Sequence, residues 1–294
     1  MSCPAEKERS LSIASWEDSR LSIKSISSEA RDSMTAVTPI TYPMYGMSME
    51  RFLGMSPDIP LPPHQELLRE GMLTRCGAQT QVIFVSHEWL SFNHFDPNGD
   101  QVRALQTIFR RLIAGELELY ADPWYQLLVD EPPYLSGADC KELFSKMHVW
   151  LDWISIPQSK SYDPVPPAKL MAAVESIPGY VAEAELMLII APPAVHVDRG
   201  TLCDFSSWCE RGWCITELQS ALLSICETKV LLVTSGDSAP MWGSPYTVLQ
   251  RTAGSGNFTC CQRNHEIDGH RIDCDKLKVH AVLSSMLKAK GCTC

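Results

Sequence analysis

The chain has no apolar run approaching the roughly 18 residues of a membrane-spanning helix, so no membrane span is expected. No cluster of Lys or Arg offsets its formal charge of −10, which argues against a nucleic-acid partner. The N-terminus lacks the basic-then-apolar layout of a secretory leader. Neither G-x-x-x-x-G-K-[ST] nor G-x-G-x-x-G occurs, which removes the two commonest phosphate-cradling loops. There is no C-x-x-C pair and no internal repeat. The 12 cysteines are spread over 294 residues, many within apolar segments. Without a leader, they read as reduced thiols of a cytoplasmic protein rather than a disulfide framework.

What is present suffices for a real core, since 45% of the residues are apolar. Residues 1–60 are rich in Ser, Met and Pro and show little periodicity, so they are expected to form a disordered tail. Arg9 and Arg20 precede serines there, a pattern compatible with phosphorylation or with a plain solvated tail. Residues 61–294 are expected to form a single α/β domain. Gln81–Val85, His148–Ile156, Leu186–Ile190 and Lys229–Val233 read as buried strands. Amphipathic helical patterns stand between them: one after the candidate N-cap Asp100, one from Ala168 to Val174, and one after Arg211. Residues 113–146 resemble an insertion with a short helix at Gly137–Lys146. Phe258–Cys261 reads as a short fifth or edge strand, and Asp275–Lys290 as a closing helix. Strands alternating with helices predict a parallel doubly wound sheet with flanking helices.

The chain is organised around Glu185–Ser224. An all-apolar strand stops at Pro192-Pro193, and a Trp- and Cys-rich segment then turns helical. Ile215, Leu218, Leu222 and Ile225 form its apolar stripe, and Glu217 lies beside that stripe. Ligands of open α/β sheets bind at the carboxyl ends of the strands, which makes Glu217 the leading candidate carboxylate.

Four landmarks stand in fixed order: VIFVSHEW, VWLDWISIPQ, AELMLIIAP and RGWCITEL. This order resembles the Toll/interleukin-receptor (TIR) family and the related heterokaryon-incompatibility (HET) domains. Val85-Ser86-His87 is similar to the end of the first TIR strand, and Val149-Trp150-Leu151-Asp152 to the second. Ile156-Pro157-Gln158 resembles a HET block. Trp213-Cys214-Ile215-Thr216-Glu217-Leu218 is similar to the W-C-x-x-E-L of plant TIR domains, and Arg211-Gly212-Trp213 with Glu217 to the HET R-x-W-x-x-x-E. As a whole the chain resembles a set of proteins from unicellular algae such as dinoflagellates. The likeness covers about residues 80–235. The long Pro-rich loop after the second strand and the 113–146 insertion depart from the family pattern.

The resemblance implies a flavodoxin/TIR-like fold in an intracellular signalling or defence-type protein. It also implies a role for Glu217 in cleaving the nicotinamide–ribose bond of NAD, the work of an NAD nucleosidase (a hydrolase). No cofactor is firmly implied; NAD would be a substrate. A carboxylate beside the ribose would stabilise the oxocarbenium-like species left by nicotinamide. Ser86, His87, Asp152 and Arg211 are candidate ligand contacts, with Trp89, Trp208 and Trp213 as ring clamps. The alternatives are a helix-surface role for Glu217, a strand-end hydrogen bond for His87, an Asp152–Arg211 pair and core positions for the tryptophans. The competing function is a non-catalytic module that self-associates as a homo-oligomer through TIR-like surfaces.

Two further chemistries have residues to support them. Cys214, His87 and Asp152 could form a thiol nucleophile with its base, provided the thiol is exposed or acidified. Cys261, His265, His270 and Cys274 have zinc-ligand chemistry at workable separations, although a hairpin with incidental Cys and His would look the same, and no metal is expected.

Overall fold

A computed structural model of the 294-residue chain describes residues 40–128, 130, 132–158, 165–224, 228–243, 254–267 and 269–289. In chain order the strands are β1 (Tyr45–Ser48), β2 (Thr74–Arg75), β3 (Val82–His87), β4 (Leu119–Ala121), β5 (Tyr134–Leu135), β6 (His148–Leu151) and β7 (Leu186–Ile190). They continue with β8 (Ala194–Val195), β9 (Leu202–Cys203), β10 (Lys229–Val233), β11 (Met241–Trp242), β12 (Glu266–Ile267) and β13 (His270–Arg271). The helices are α1 (Met49–Gly54), α2 (His64–Arg69), α3 (Asp100–Ala114), α4 (Pro123–Leu128), α5 (Gly137–Ser145) and α6 (Asp152–Ser155). After them come α7 (Pro167–Glu175), α8 (Ile177–Glu183), α9 (Phe205–Trp208), α10 (Gly212–Leu223), α11 (Thr259–Gln262) and α12 (Asp275–Ala289).

Nine strands form one mixed sheet in the order β2-β1-β6-β3-β7-β10-β11-β4-β5. Its centre is parallel: β3 pairs with β6 and β7, and β7 with β10. Every residue of β3 and β7 is buried, as expected of apolar runs covered on both faces. Alternate residues feed two separate core layers. Ile83, Val85, Leu188 and Ile190 join one with α1, α3 and α5. Phe84, Met187 and Ile189 join the other with α8 and α10. In this second layer the Trp150 ring stacks on Phe84 with centroids 4.2 Å apart. No helix among the described residues is long and apolar enough to cross a membrane.

Several expectations need correction. The sheet is not parallel throughout: β1 runs antiparallel to β6 and β2, β10 to β11, and β4 to β5. Residues 40–60 are not part of a tail. They supply β1 and α1, and bury Met44, Met47, Met49 and Phe52. Residues 1–39, with Arg9 and Arg20, lie outside the described residues, as does Ile225. The 113–146 stretch contributes β4 and β5 to the sheet, and α5 packs on α3. Phe258–Cys261 is no strand; Thr259–Gln262 is the helical turn α11. Asp100 does not cap α3. The buried Asp96 carboxylate takes the N–H groups of Asp100 and Val102, both at 2.8 Å. The cap position is Gly99 at φ +73°, where a Cβ would lie 1.9 Å from Pro57 O.

Candidate functional site

Three separate segments converge at the carboxyl edge of the parallel strands. The first is the end of β3. Strand alternation sends Ser86 to the face of Phe84, under α10, and His87 to the opposite face, against Phe95. The second is Asp152, the first residue of α6 as the chain leaves β6. The third is Glu217, in the second turn of α10, on the helix that follows β7 and its loop.

Ser86 Oγ donates a short 2.5 Å hydrogen bond to Glu217 Oε2. Glu217 is 9% exposed, and burial pushes its pKa up to about 8; the Ser86 bond pulls it down, nearby Asp152 raises it further, and His87 opposes that. Glu217 is therefore largely protonated at neutral pH. Across the strand edge His87 Nε2 lies 3.3 Å from Asp152 Oδ1. Trp89 Nε1 donates to Asp152 Oδ2 at 2.8 Å. For His87, burial favours the neutral ring, but Asp152, Glu217 and Asp96 together outweigh it and raise its pKa. For Asp152, burial disfavours the charge, and His87 and the Trp89 bond reverse this, leaving its pKa lowered. Asp152 is the more open end of this pair, since its side chain is 24% exposed against 2% for His87. Both ring nitrogens of His87, and Asp152 Oδ1, are buried without a hydrogen-bond partner of good geometry among the described residues, so the 3.3 Å approach is a charge contact rather than a hydrogen bond.

A second polar knot adjoins the first. The buried Glu88 carboxylate accepts from Ser207 Oγ at 2.6 Å and from Arg199 at 3.4 Å, and lies 3.7 Å from Arg211 Nε. Arg211 is thus a partner of Glu88 and of Thr259, whose Oγ1 it reaches at 2.6 Å, rather than of Asp152. Sequence alone does not single out Glu88, Arg199 and Ser207; an acid directly after His87 at a strand end is the one local signal. It also left Gln158 without a role. Gln158 Nε2 donates to the carbonyls of Asp152 and Ile156, which braces the turn carrying Asp152.

Of the three ring candidates, only Trp89 touches the Asp152 carboxylate. Trp208 is fully buried in the α8–α10 core layer and stacks on Phe205. Trp213 packs against the C-terminal cluster, its Nε1 3.3 Å from Asp275 Oδ2. Trp208 is a core residue, the alternative already open in the sequence, and Trp213 is half-buried at the margin of the C-terminal cluster. Cys214 does not have the character of a nucleophile. It is buried, its thiol donates to His87 O at 3.3 Å, and burial, then Glu217, pushes its pKa well up. A separate hollow of about 170 Å³, lined by Trp124, Ile189, Leu218 and Met241 among others, is apolar and carries no catalytic set.

Comparison with protein-family models, with curated proteins and with solved structures gave no match.

Proposed function

We propose that the chain is a TIR/HET-like signalling or defence-type module that binds a nucleotide such as NAD and hydrolyses its nicotinamide–ribose bond with Glu217. The observation that carries this reading is the Ser86–Glu217 contact beside the His87–Asp152 pair, at one edge of the parallel strands. Numbered in chain order, β3, β6, β7 and β10 lie side by side as 2-1-3-4. That order matches a doubly wound, flavodoxin-like sheet, whose ligand crevice lies where the order reverses, between the first and third strands. Ser86 and His87 end the first of these strands, and Glu217 follows the third.

The chemistry suits a cationic substrate. A nicotinamide ring on ribose carries a positive charge, which would favour the ionised form of Glu217 and release its proton. The carboxylate then stabilises the ribose oxocarbenium as the C–N electron pair departs with nicotinamide. Water adds to the ribose carbon and one proton is released. The unpartnered His87 Nδ1, buried in this structure, would suit a ribose hydroxyl or a phosphate once substrate opens the strand edge. Because Glu217 is 9% exposed, the productive complex requires the substrate to displace Ser86 from its carboxyl.

The test is incubation of the purified full chain with NAD at low and high protein concentration, with products separated by chromatography. Wild type is expected to release nicotinamide and ADP-ribose. Glu217→Gln should lose on the order of 10²–10³-fold in rate, as when a preorganised charge stabiliser is removed. A protein that neither binds NAD nor releases nicotinamide, even when oligomerised, refutes the proposal. The low exposure of Glu217 also favours a second reading, in which the knot is a closed structural lock in a self-associating, non-catalytic module. On that reading Glu217→Gln folds and leaves function unchanged.

A further inference from the structure

We infer that Cys260, Cys261, His265 and Cys274 form a zinc site that ties α11 to the start of α12, within the C-terminal segment that packs against the helix bearing Glu217. Their ligand atoms all lie within 4.8 Å of one another. Cys261 Sγ is 3.5 Å from His265 Nε2, 3.7 Å from Cys274 Sγ and 4.0 Å from Cys260 Sγ. A tetrahedral zinc with Zn–S of about 2.3 Å and Zn–N of about 2.0–2.1 Å spaces neighbouring donors by roughly 3.6–3.8 Å. The sulfurs are free thiols, and 3.7 Å is far beyond the roughly 2.05 Å of a disulfide.

The backbone is bent to make this cluster. Asn264 and His265 both have positive φ, at 52° and 57°, a costly conformation that turns the chain straight after α11. The hairpin β12–β13 then returns the chain, with Ile272 N bonded to His265 O, and delivers Cys274 to the start of α12. Asp275 N donates to Cys260 Sγ at 3.3 Å, the kind of backbone support that metal-bound sulfur takes from its surroundings. His270, a ligand candidate from sequence, is exposed on β13 and outside the cluster; Cys260 stands in its place. Three cysteines and one histidine suit a closed structural zinc site, and binding displaces the thiol protons.

The location explains why a clamp is useful. The core beneath α12 is small: Phe258, Cys260, Val279, Val282, Leu283 and Met286. The same segment reaches the polar knot. Gly212 N donates to Asn257 O, Arg211 to Thr259 Oγ1, and Arg199 to Gln262 Oε1. A metal fixing α11 therefore fixes the partners of both arginines that face Glu88.

The test uses the full chain expressed with zinc supplied and purified under reducing conditions, with metal content measured by elemental analysis. One zinc per chain is expected, and after exchange to cobalt the visible absorption of tetrahedral thiolate-bound Co²⁺. Cys274→Ser should lower zinc affinity by more than the roughly 10–100-fold cost of disturbing an outer partner. His270→Ala should keep full zinc content, and chelation of wild type should lower its melting temperature. Wild type without zinc and without the cobalt spectrum overturns the site, whatever the variants do. So does a Cys261–Cys274 disulfide found by mass spectrometry, and loss of zinc in His270→Ala overturns this ligand set. None of these readouts involves NAD, so the outcome is independent of the catalytic proposal.

Discussion

At the scale of single residues, Glu217 dominates the pH behaviour. Its folded pKa of about 8 stands above the ordinary 4.5. The folded state thus holds this proton more tightly than the unfolded state. The resulting stability is complete below about pH 4.5 and is lost as pH rises through about 8. Glu217→Gln keeps an acceptor for Ser86 and removes the titration. The variant should match wild type near about pH 5 and exceed it near about pH 9 by on the order of 3–5 kcal/mol, read from thermal or urea unfolding. His87 and Asp152 remain in both proteins, so the difference reports Glu217 together with its coupling to His87. A gap that does not change with pH would mean the carboxyl is not held protonated. W-C-x-x-E-L made Glu217 legible, and the strand-end motifs did the same for Ser86, His87 and Asp152. The direction of Arg211 was not legible, because Asp152 and Glu88 are both acids within its conceivable reach. Only the fold decides that Glu88 takes it, together with Ser207 and Arg199.

At the scale of elements, the start of α10 shows how local signals compete. Ser207 and Glu210 spell a capping box, yet the box in use is Asp204 with Ser207, and it caps α9. Ser207 Oγ is also committed to Glu88, so it cannot serve a later helix start. Helix α10 begins instead at Gly212, after Arg211, with no side-chain cap. The glycine is there for space: a Cβ would come within 2.0 Å of the buried Phe258 ring. Gly212→Ala should therefore destabilise by about 2–3 kcal/mol, even though alanine gains up to about 1 kcal/mol in helix propensity. Combining it with Phe258→Leu should recover part of the loss, visible as a favourable coupling in a double-mutant cycle by urea unfolding. A neutral Gly212→Ala would show that the ring moves aside freely, and that the C-terminal segment is not locked against α10. The misread Phe258–Cys261 has a related cause. Four residues cannot show a period, and its helical turn is set by contacts with Arg211 and Gly212 that lie far off in sequence.

At the scale of the whole molecule, the centre of the sheet was legible and its edges were not. β7 is a continuous apolar run, and β3 and β10 each carry one of four residues, Val82–Val85 and Val230–Val233, the pattern of strands covered on both faces. β2, β5 and β11 have two residues each, too short for alternation to register. The N-terminal edge is the most consequential case, because Ser, Met and Pro hide the apolar side chains that β1 and α1 bury. Phe52 is fully buried and meets Phe109 edge-on at 6.0 Å; Gln106 Nε2 ties the carbonyls of Phe52 and Met55 to α3. Residues 49–55 are thus part of the core layer under α3, not an appendage to it. Phe52→Ala should cost about 3–5 kcal/mol in a single cooperative urea transition, the usual range for emptying a buried aromatic site. Were this stretch a solvated tail, the same change would fall within about 0.5 kcal/mol of wild type. Because β1 also pairs with β6, whose next residue is Asp152, loosening this edge should reach the polar cluster as well. The indole N–H resonance of Trp89, bonded to Asp152, should shift in Phe52→Ala before global unfolding, and an unchanged resonance would show that edge and site are uncoupled.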